Sequence, residues 1–420
     1  MLRTSIFPLL KKGVLLYLLL VALFIVGITV PALIPHSSVE PQILKSADIL
    51  SSEGLYPVSF CNKYSVQTLL FTRDQYTDCL MLNLAAAQDE TNPFSSAILS
   101  PCRKGNYGLD AMPDNLRVLA ANPAAADTNY DWYWHGYLTF LKPLLIFFDY
   151  GQIRWLNCLL MLVLFIWTLV LIARRIGLAA MLMFLAASLM IHGEIIPFTM
   201  QFASVFFVTL ISIIVLLSFP DFFSRNNYDL LTSFAIGAVT VYVDFLTAPI
   251  VSLGLPLLVW LLYRKDRQTL RNVVIFSLAW GMGYALLWAS KWALCAMTYD
   301  PSVLENAALH ADKWSSSDST AGRMVMTMGV VKKYIALFWS MNWLWPTIVA
   351  SVLLIFRHKS FPKMKENSWL LLIALMPFVW SLVLVNHNNV HFNFTCRMVI
   401  ITLYALMLWV YRSVDWKRSY

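Results

Sequence analysis

The sequence predicts an all-α, polytopic transmembrane protein of about ten helices, with one large extracytoplasmic loop between helices 1 and 2. Three observations carry that expectation. Hydrophobic residues fill 59% of the 420 positions and charged residues only 13%, against about 25% charged in a soluble domain. With so little charge available for a wet surface, lipid must solvate much of the chain. Apolar runs of roughly 20 residues, enough to cross about 30 Å of hydrocarbon, recur along its length. Basic residues cluster after every second run, which is the asymmetry of a positive-inside topology.

The elements follow in order. Residues 1–35 form a cytoplasmic N-terminus and helix 1, an apolar run from Gly13 to Leu33 behind Arg3, Lys11 and Lys12. That run exceeds the roughly 7–15 apolar residues of a cleavable signal and reads as a retained helix. Residues 36–151 are polar and interrupted, forming the extracytoplasmic loop. Within them Trp134–Phe148 is apolar but short, and predicts a helix lying at the interface. Residues 152–290 hold helices 2–7, near 152–173, 177–192, 199–219 and 272–290, with the run Leu230–Tyr263 between. As one helix that run would be about 50 Å long, too long for a single crossing. A split near Asp244 and Pro249 also keeps three basic clusters on the cytoplasmic side. Residues 291–333 read as a second extracytoplasmic loop. Residues 334–420 carry helices 8–10, near 335–356, 369–386 and 398–411, and a cytoplasmic C-terminus.

Several functions are excluded by pattern. The net charge of +8 is dispersed in short clusters between apolar runs, so it predicts no nucleic-acid partner; the partner expected on composition is membrane lipid. Six cysteines show no CxxC or Cys/His spacing, and no zinc site is legible. A Cys61–Cys102 disulfide and free thiols both stay open, depending on the redox compartment. Walker, GxGxxG, GxSxG and HExxH motifs are absent, so no nucleotide cofactor or hydrolase triad is expected. His387 and His391, spaced i, i+4, would suit a divalent metal on a helix. Two intervening asparagines favour a turn, and the expectation is no cofactor.

Unusual polar residues gather on the outer side. Thr77–Ala85 reads as a helix start with Asp78 in its first turn, where a carboxylate has both capping and chemical uses. Arg154, Lys291 and Arg397 stand at outer helix ends; ionisable groups at membrane depth often mark a site, although Arg154 and Lys291 also suit snorkelling to headgroups. Glu194 and Asp244 occupy short outer turns. Trp134 and His135 open the interfacial segment.

Five segments then resemble bacterial integral-membrane glycosyltransferases of the GT-C class. They are YTDCLMLNLA at 76–85, NPFSSAIL at 92–99, YWHGYLTFLKPLLIFFDYGQIRWLN at 133–157, DFLTAPIVSLGLPL at 244–257 and HNNVHFNFTCRM at 387–398. The resemblance implies transfer of a sugar from a polyprenyl-phosphate donor to a hydroxyl of a glycan or lipid acceptor, outside the bacterial inner membrane. It implies a catalytic carboxylate, Asp78, with Asp74 and Asp48 as alternatives because no acid follows helix 1 directly. Arg397, Lys291, Arg154 and His391 would hold the donor phosphate. Glu194, Asp244, His387, Trp134 and His135 would line the acceptor cavity. An O-antigen ligase or polysaccharide polymerase, and a flippase of lipid-linked glycans, are the alternatives that share this topology.

Overall fold

The computed structural model describes residues 6–59, 68–105, 111–225, 227–265, 269–299, 301–315, 320–341, 344–357 and 361–414. The first long apolar run is α1 (Ile6–Ala32). The stretch that follows α1 folds into a helical cap: α2 (His36–Glu53), α3 (Gln75–Ala86), α4 (Pro93–Leu99), α5 (Met112–Ala121) and α6 (Leu138–Leu144). Two short antiparallel strands, β1 (Pro101–Cys102) and β2 (Thr128–Asn129), pin it together with Cys102 opposite Thr128. The rest of the bundle is α7 (Tyr150–Arg175), α8 (Leu178–Met190), α9 (Met200–Ser218), α10 (Tyr228–Val243), α11 (Val251–Arg264) and α12 (Thr269–Thr298). After it come α13 (Ser302–Ser315), α14 (Thr320–Ser340), α15 (Leu344–Arg357), α16 (Trp369–Val383), α17 (Val385–Val390) and α18 (Val399–Ser413).

Among the described residues, five helices are long and apolar enough to cross a membrane, and six if the bent pair α14–α15 forms one span. The remaining apolar runs are shorter helices, α8, α10, α11 and α16. At 1.5 Å per residue these fall short of a full bilayer core. The expected break at Asp244 is present: Asp244 ends α10 in extended backbone and accepts the Thr247 N–H at 3.0 Å, while Leu246 turns the chain with φ +64. Two expectations differ. The segment 291–333 is largely helical, because α12 continues to Thr298 and α13 and α14 follow. Helix 8 is broken, with α14 and α15 meeting at 83°. In the segment 134–148 only one side faces outward: Phe140 and Phe147 are exposed, whereas Trp134, Leu138 and Leu141 are buried.

Close backbone approach sets the bundle. A Cβ on Gly237 of α10 would lie 2.0 Å from the Trp280 carbonyl oxygen, and one on Gly283 of α12 the same distance from the Phe234 carbonyl oxygen. The two helices therefore touch backbone to backbone, the small-residue crossing common in lipid. Tyr242 fills a matching slot, since a Cβ on Gly27 or Gly136 would strike it at 2.3 Å. Its ring stacks on Phe24 at 4.0 Å, and its hydroxyl is 2.6 Å from Thr139 Oγ1.

One set of charged residues lies at the end of the bundle away from the cap. Lys12 Nζ donates to the Tyr228 hydroxyl at 3.1 Å, Arg264 pairs with the buried Asp229, and Arg412 Nε donates to Asn367 Oδ1 at 3.0 Å. The cap sits at the opposite end, on the starts of α7 and α9, the last turn of α10 and the second half of α12.

Replacing Gly237 with Leu should force α10 from α12 and destabilise the protein by about 1–3 kcal/mol, read as a lower melting temperature in lipid nanodiscs. Gly281→Leu on α12, where an added Cβ meets nothing within 4 Å, should melt like the parent. Equal melting of both variants would rule out the close crossing.

Candidate functional site

Two carboxylates four residues apart are placed by α3, and they face different surroundings. Asp74 caps the helix, accepting the Thr77 N–H and the Thr77 hydroxyl at 3.0 Å each, a standard N-terminal solution for unpaired donors. Asp78, one turn on, is fully buried. Its Oδ2 accepts the Tyr150 hydroxyl at 2.8 Å and the Met200 N–H at 3.0 Å, and Oδ1 accepts the Gln201 N–H at 3.0 Å. Asp78 thus caps α9 from another segment, where the first-turn N–H groups and the helix dipole favour a carboxylate. Burial pushes its carboxyl up to about 7, against the pull of those donors.

A cavity of roughly 1270 Å³, open solvent included, lies at the cap end of the bundle. Asp74, Gln201, Lys333, His387, His391 and Trp314 supply its polar and aromatic wall, with Leu69, Leu80 and Val390 among its apolar lining. Asp78 sits behind this wall and does not line it. Burial raises the pKa of Asp74, while the Thr77 hydrogen bonds and the charge of Arg397 pull it back. Burial holds His387 down to about 3 and His391 to about 4, so both rings are neutral. The two imidazoles lie 4.9 Å apart, and Trp314 packs edge-on to His387 at 5.1 Å. Lys333 Nζ donates to the Asn389 carbonyl and to Asn389 Oδ1.

Behind the wall, cations serve the fold. Arg397 Nη1 donates to the Asn393 carbonyl at 2.6 Å and Nη2 to the Leu70 and Thr72 carbonyls at 3.0 and 3.4 Å. Its guanidinium lies 4.0 Å over the Phe202 ring. It therefore fixes the segment that leads into Asp74 and lends that carboxylate its charge. Arg154 grips Glu53 with two hydrogen bonds of 2.6 and 2.7 Å. Glu53 in turn holds Arg73 at 3.1 Å and the Gln75 side chain at 2.7 Å, the residues on either side of Asp74. The Arg154 bonds foremost hold the Glu53 carboxyl down to about 2. Lys291 is fully buried and donates to the Ile98 carbonyl, closing the C-terminal end of α4.

The structure therefore brings Asp74, His387 and His391 together on one cavity and sets Arg397 just behind it. It does not place Asp78, Arg154 or Lys291 on that wall, since each is committed to a helix end or an ion pair. Asp48 is exposed and paired with Arg117. Glu194 meets His192 at 2.9 Å in its turn. Asp244 is buried at the α10–α11 break. Trp134 Nε1 donates to the Leu287 carbonyl at 2.6 Å, and His135 Nε2 meets the Tyr130 carbonyl at 2.6 Å. Among the described residues, no group of three His, Cys, Asp or Glu stands ready to hold a metal ion. Cys79 and Cys102 are free, buried thiols; Cys61 lies outside the described residues.

Sequence reasoning missed Lys333, Trp314 and Gln201. Trp314 and Lys333 belong to helices within the segment 291–333, whose sequence predicts a loop. The Lys332–Lys333 pair inside an otherwise apolar stretch was the available signal. Gln201, a lone amide at the start of an apolar helix, offered a fainter one.

The chain matches no family model, no curated protein and no solved structure.

The two carboxylates should respond oppositely to the same change. Asp78→Asn turns an acceptor into a donor facing backbone N–H groups, and should destabilise the protein by about 1–3 kcal/mol. Asp74→Asn keeps a competent helix cap and should melt close to the parent. Thermal unfolding of the two variants in nanodiscs tests this, and the reverse ranking would contradict the assignment of Asp78 to architecture.

Proposed function

We propose that the chain is an integral-membrane glycosyltransferase that moves a sugar from a polyprenyl-phosphate donor to a hydroxyl acceptor on the extracytoplasmic side of a bacterial inner membrane. One observation carries the reading: a buried carboxylate, Asp74, shares a single chamber with a cation, Lys333, and an apolar lining. Those are the parts that transfer from a lipid-linked sugar requires. The gathering of Lys12, Arg264 and Arg412 at the end opposite the cap supports an extracytoplasmic cavity and cytoplasmic termini.

In this mechanism Asp74 is the general base. It takes the proton of the acceptor hydroxyl as that oxygen attacks the anomeric carbon. The anomeric C–O bond to phosphate breaks, and the phosphate leaves with the bonding electrons. Lys333 meets the charge that grows there. The prenyl chain stays with the apolar lining and the surrounding lipid. Activation resides in the donor's glycosyl-phosphate bond, so the reaction consumes no nucleotide. Burial makes Asp74 a stronger base than a solvated carboxylate, while Thr77 and Arg397 favour its ionised form. Asp78 contributes by fixing the first turn of α9, which forms part of the chamber.

Asp74→Asn should reduce transfer by about 10²-fold or more in membranes supplied with polyprenyl-phosphate sugars, without loss of folded protein. Undiminished transfer would remove Asp74 as the base. Because the base acts ionised and its pKa is raised, activity should climb with pH through a point above the ordinary value of about 4. Thr77→Val removes the hydroxyl hydrogen bond that favours the charged form and keeps the backbone one, so it should move that rise to higher pH; a shift to lower pH would contradict the role.

A further inference from the structure

Two side chains on the cavity wall carry polar atoms to which the protein offers nothing. Gln201 is 2% exposed and its Oε1 is buried with no hydrogen-bond partner; His387 is 3% exposed and its Nδ1 is in the same condition. Both residues line the chamber with Asp74 and Trp314. Buried polar atoms are nearly always paired in folded proteins, so an unpaired couple on one cavity wall points to a ligand that completes them. Neither is loosely held. The Gln201 N–H is bound to Asp78 Oδ1 at 3.0 Å, and His387 is held by the edge-on Trp314 ring at 5.1 Å and by Phe394 at 5.9 Å.

The chemistry of the pair selects the ligand. Gln201 Oε1 only accepts hydrogen bonds, so a carboxylate or phosphate oxygen would meet it acceptor to acceptor. His387 is neutral, and its Nδ1 accepts or donates according to tautomer. An ammonium group only donates, and it would share the chamber with Lys333 as well as Asp74. A hydroxyl donates and accepts through one oxygen, so sugar hydroxyls suit either atom. The rings nearby, Trp314 and the stacked His391–Phe394 pair at 5.0 Å, offer apolar surface to the C–H face of a sugar. We infer that Gln201 and His387 form the acceptor subsite, and that the acceptor is a neutral hexopyranose of a glycan rather than a lipid headgroup. The word acceptor rests on the transferase reading; the subsite itself rests on binding.

The test uses the purified full chain in lipid nanodiscs and three probes, the methyl α-glycosides of D-glucose, D-galactose and D-mannose. Saturation-transfer NMR reads binding. At least one probe should bind saturably at millimolar concentration. Gln201→Leu and His387→Phe should each weaken it tenfold or more, and Asp114→Asn, on the exposed face of the cap, should leave it unchanged. Gln201→Met, which keeps roughly the length of the side chain and removes the amide acceptor, serves the same purpose if the leucine variant does not fold. No saturable binding by any probe, or binding indifferent to Gln201, would overturn the subsite. Hexoside binding with no transfer from any polyprenyl-phosphate sugar would overturn the transferase reading and leave the subsite standing as a sugar site. Transfer that survives loss of hexoside binding would overturn the subsite alone.

Discussion

The carboxylate of Asp78 is the interaction on which the rest of the structure depends. A membrane helix that starts beneath a folded cap leaves its first N–H groups in a dry place, where water cannot serve them. For α9 that need is met by a side chain more than a hundred residues earlier, which also takes the Tyr150 hydroxyl at the start of α7. One carboxylate thereby joins the cap to two membrane helices. It also decides where Gln201 stands, and through α3 where Asp74 stands. Its burial is a consequence of that position, and so is its distance from the chamber.

The same logic recurs with the opposite sign. Lys291 closes the end of α4 on the Ile98 carbonyl, and Lys142 reaches the Ala32 carbonyl at the end of α1. Arg397 collects the carbonyls of Asn393, Leu70 and Thr72. Cations placed on helix C-termini and stray carbonyls are favourable on electrostatic grounds and supply donors that buried backbone lacks. Tryptophans extend the seam: Trp134 donates to Leu287, and Trp288 and Trp292 both donate to the Trp132 carbonyl. The cap is thus bolted to the bundle by polar contacts, whereas the bundle beneath it is held by the glycine crossing of α10 and α12 and the Tyr242 slot.

This division explains which site residues were legible. His387, His391 and Asp74 sit in irregular, polar stretches beside apolar runs, and such stretches mark the mouth of a membrane protein in the sequence itself. Asp78 and Asp74 could not be ranked from the sequence, because both belong to one helix start and only the position of α9 separates them. Arg154 and Lys291 looked alike as outer-edge cations. Their actual work, gripping Glu53 and closing α4, depends on segments one hundred and more residues distant. Trp314 and Lys333 escaped notice because the polar stretch near Ser315 breaks the hydropathy of the region and hides two helices.

The sequence by itself pointed to lipid as the solvent and to where the long apolar helices form. Its charge deficit requires lipid, its apolar runs set where helices form, and Asp244 with Pro249 sets where a long run must turn. Short-range chemistry also determined the start of α3, since Asp74 and Thr77 cap it locally. Tertiary structure alone decided which helices are long enough to cross, because helix ends are set by packing and by distant caps as well as by hydropathy. It alone decided which carboxylate faces the chamber and which is walled in. Periodicity reports how a residue repeats along its own helix, whereas a cavity is the space left between helices that meet from distant parts of the chain.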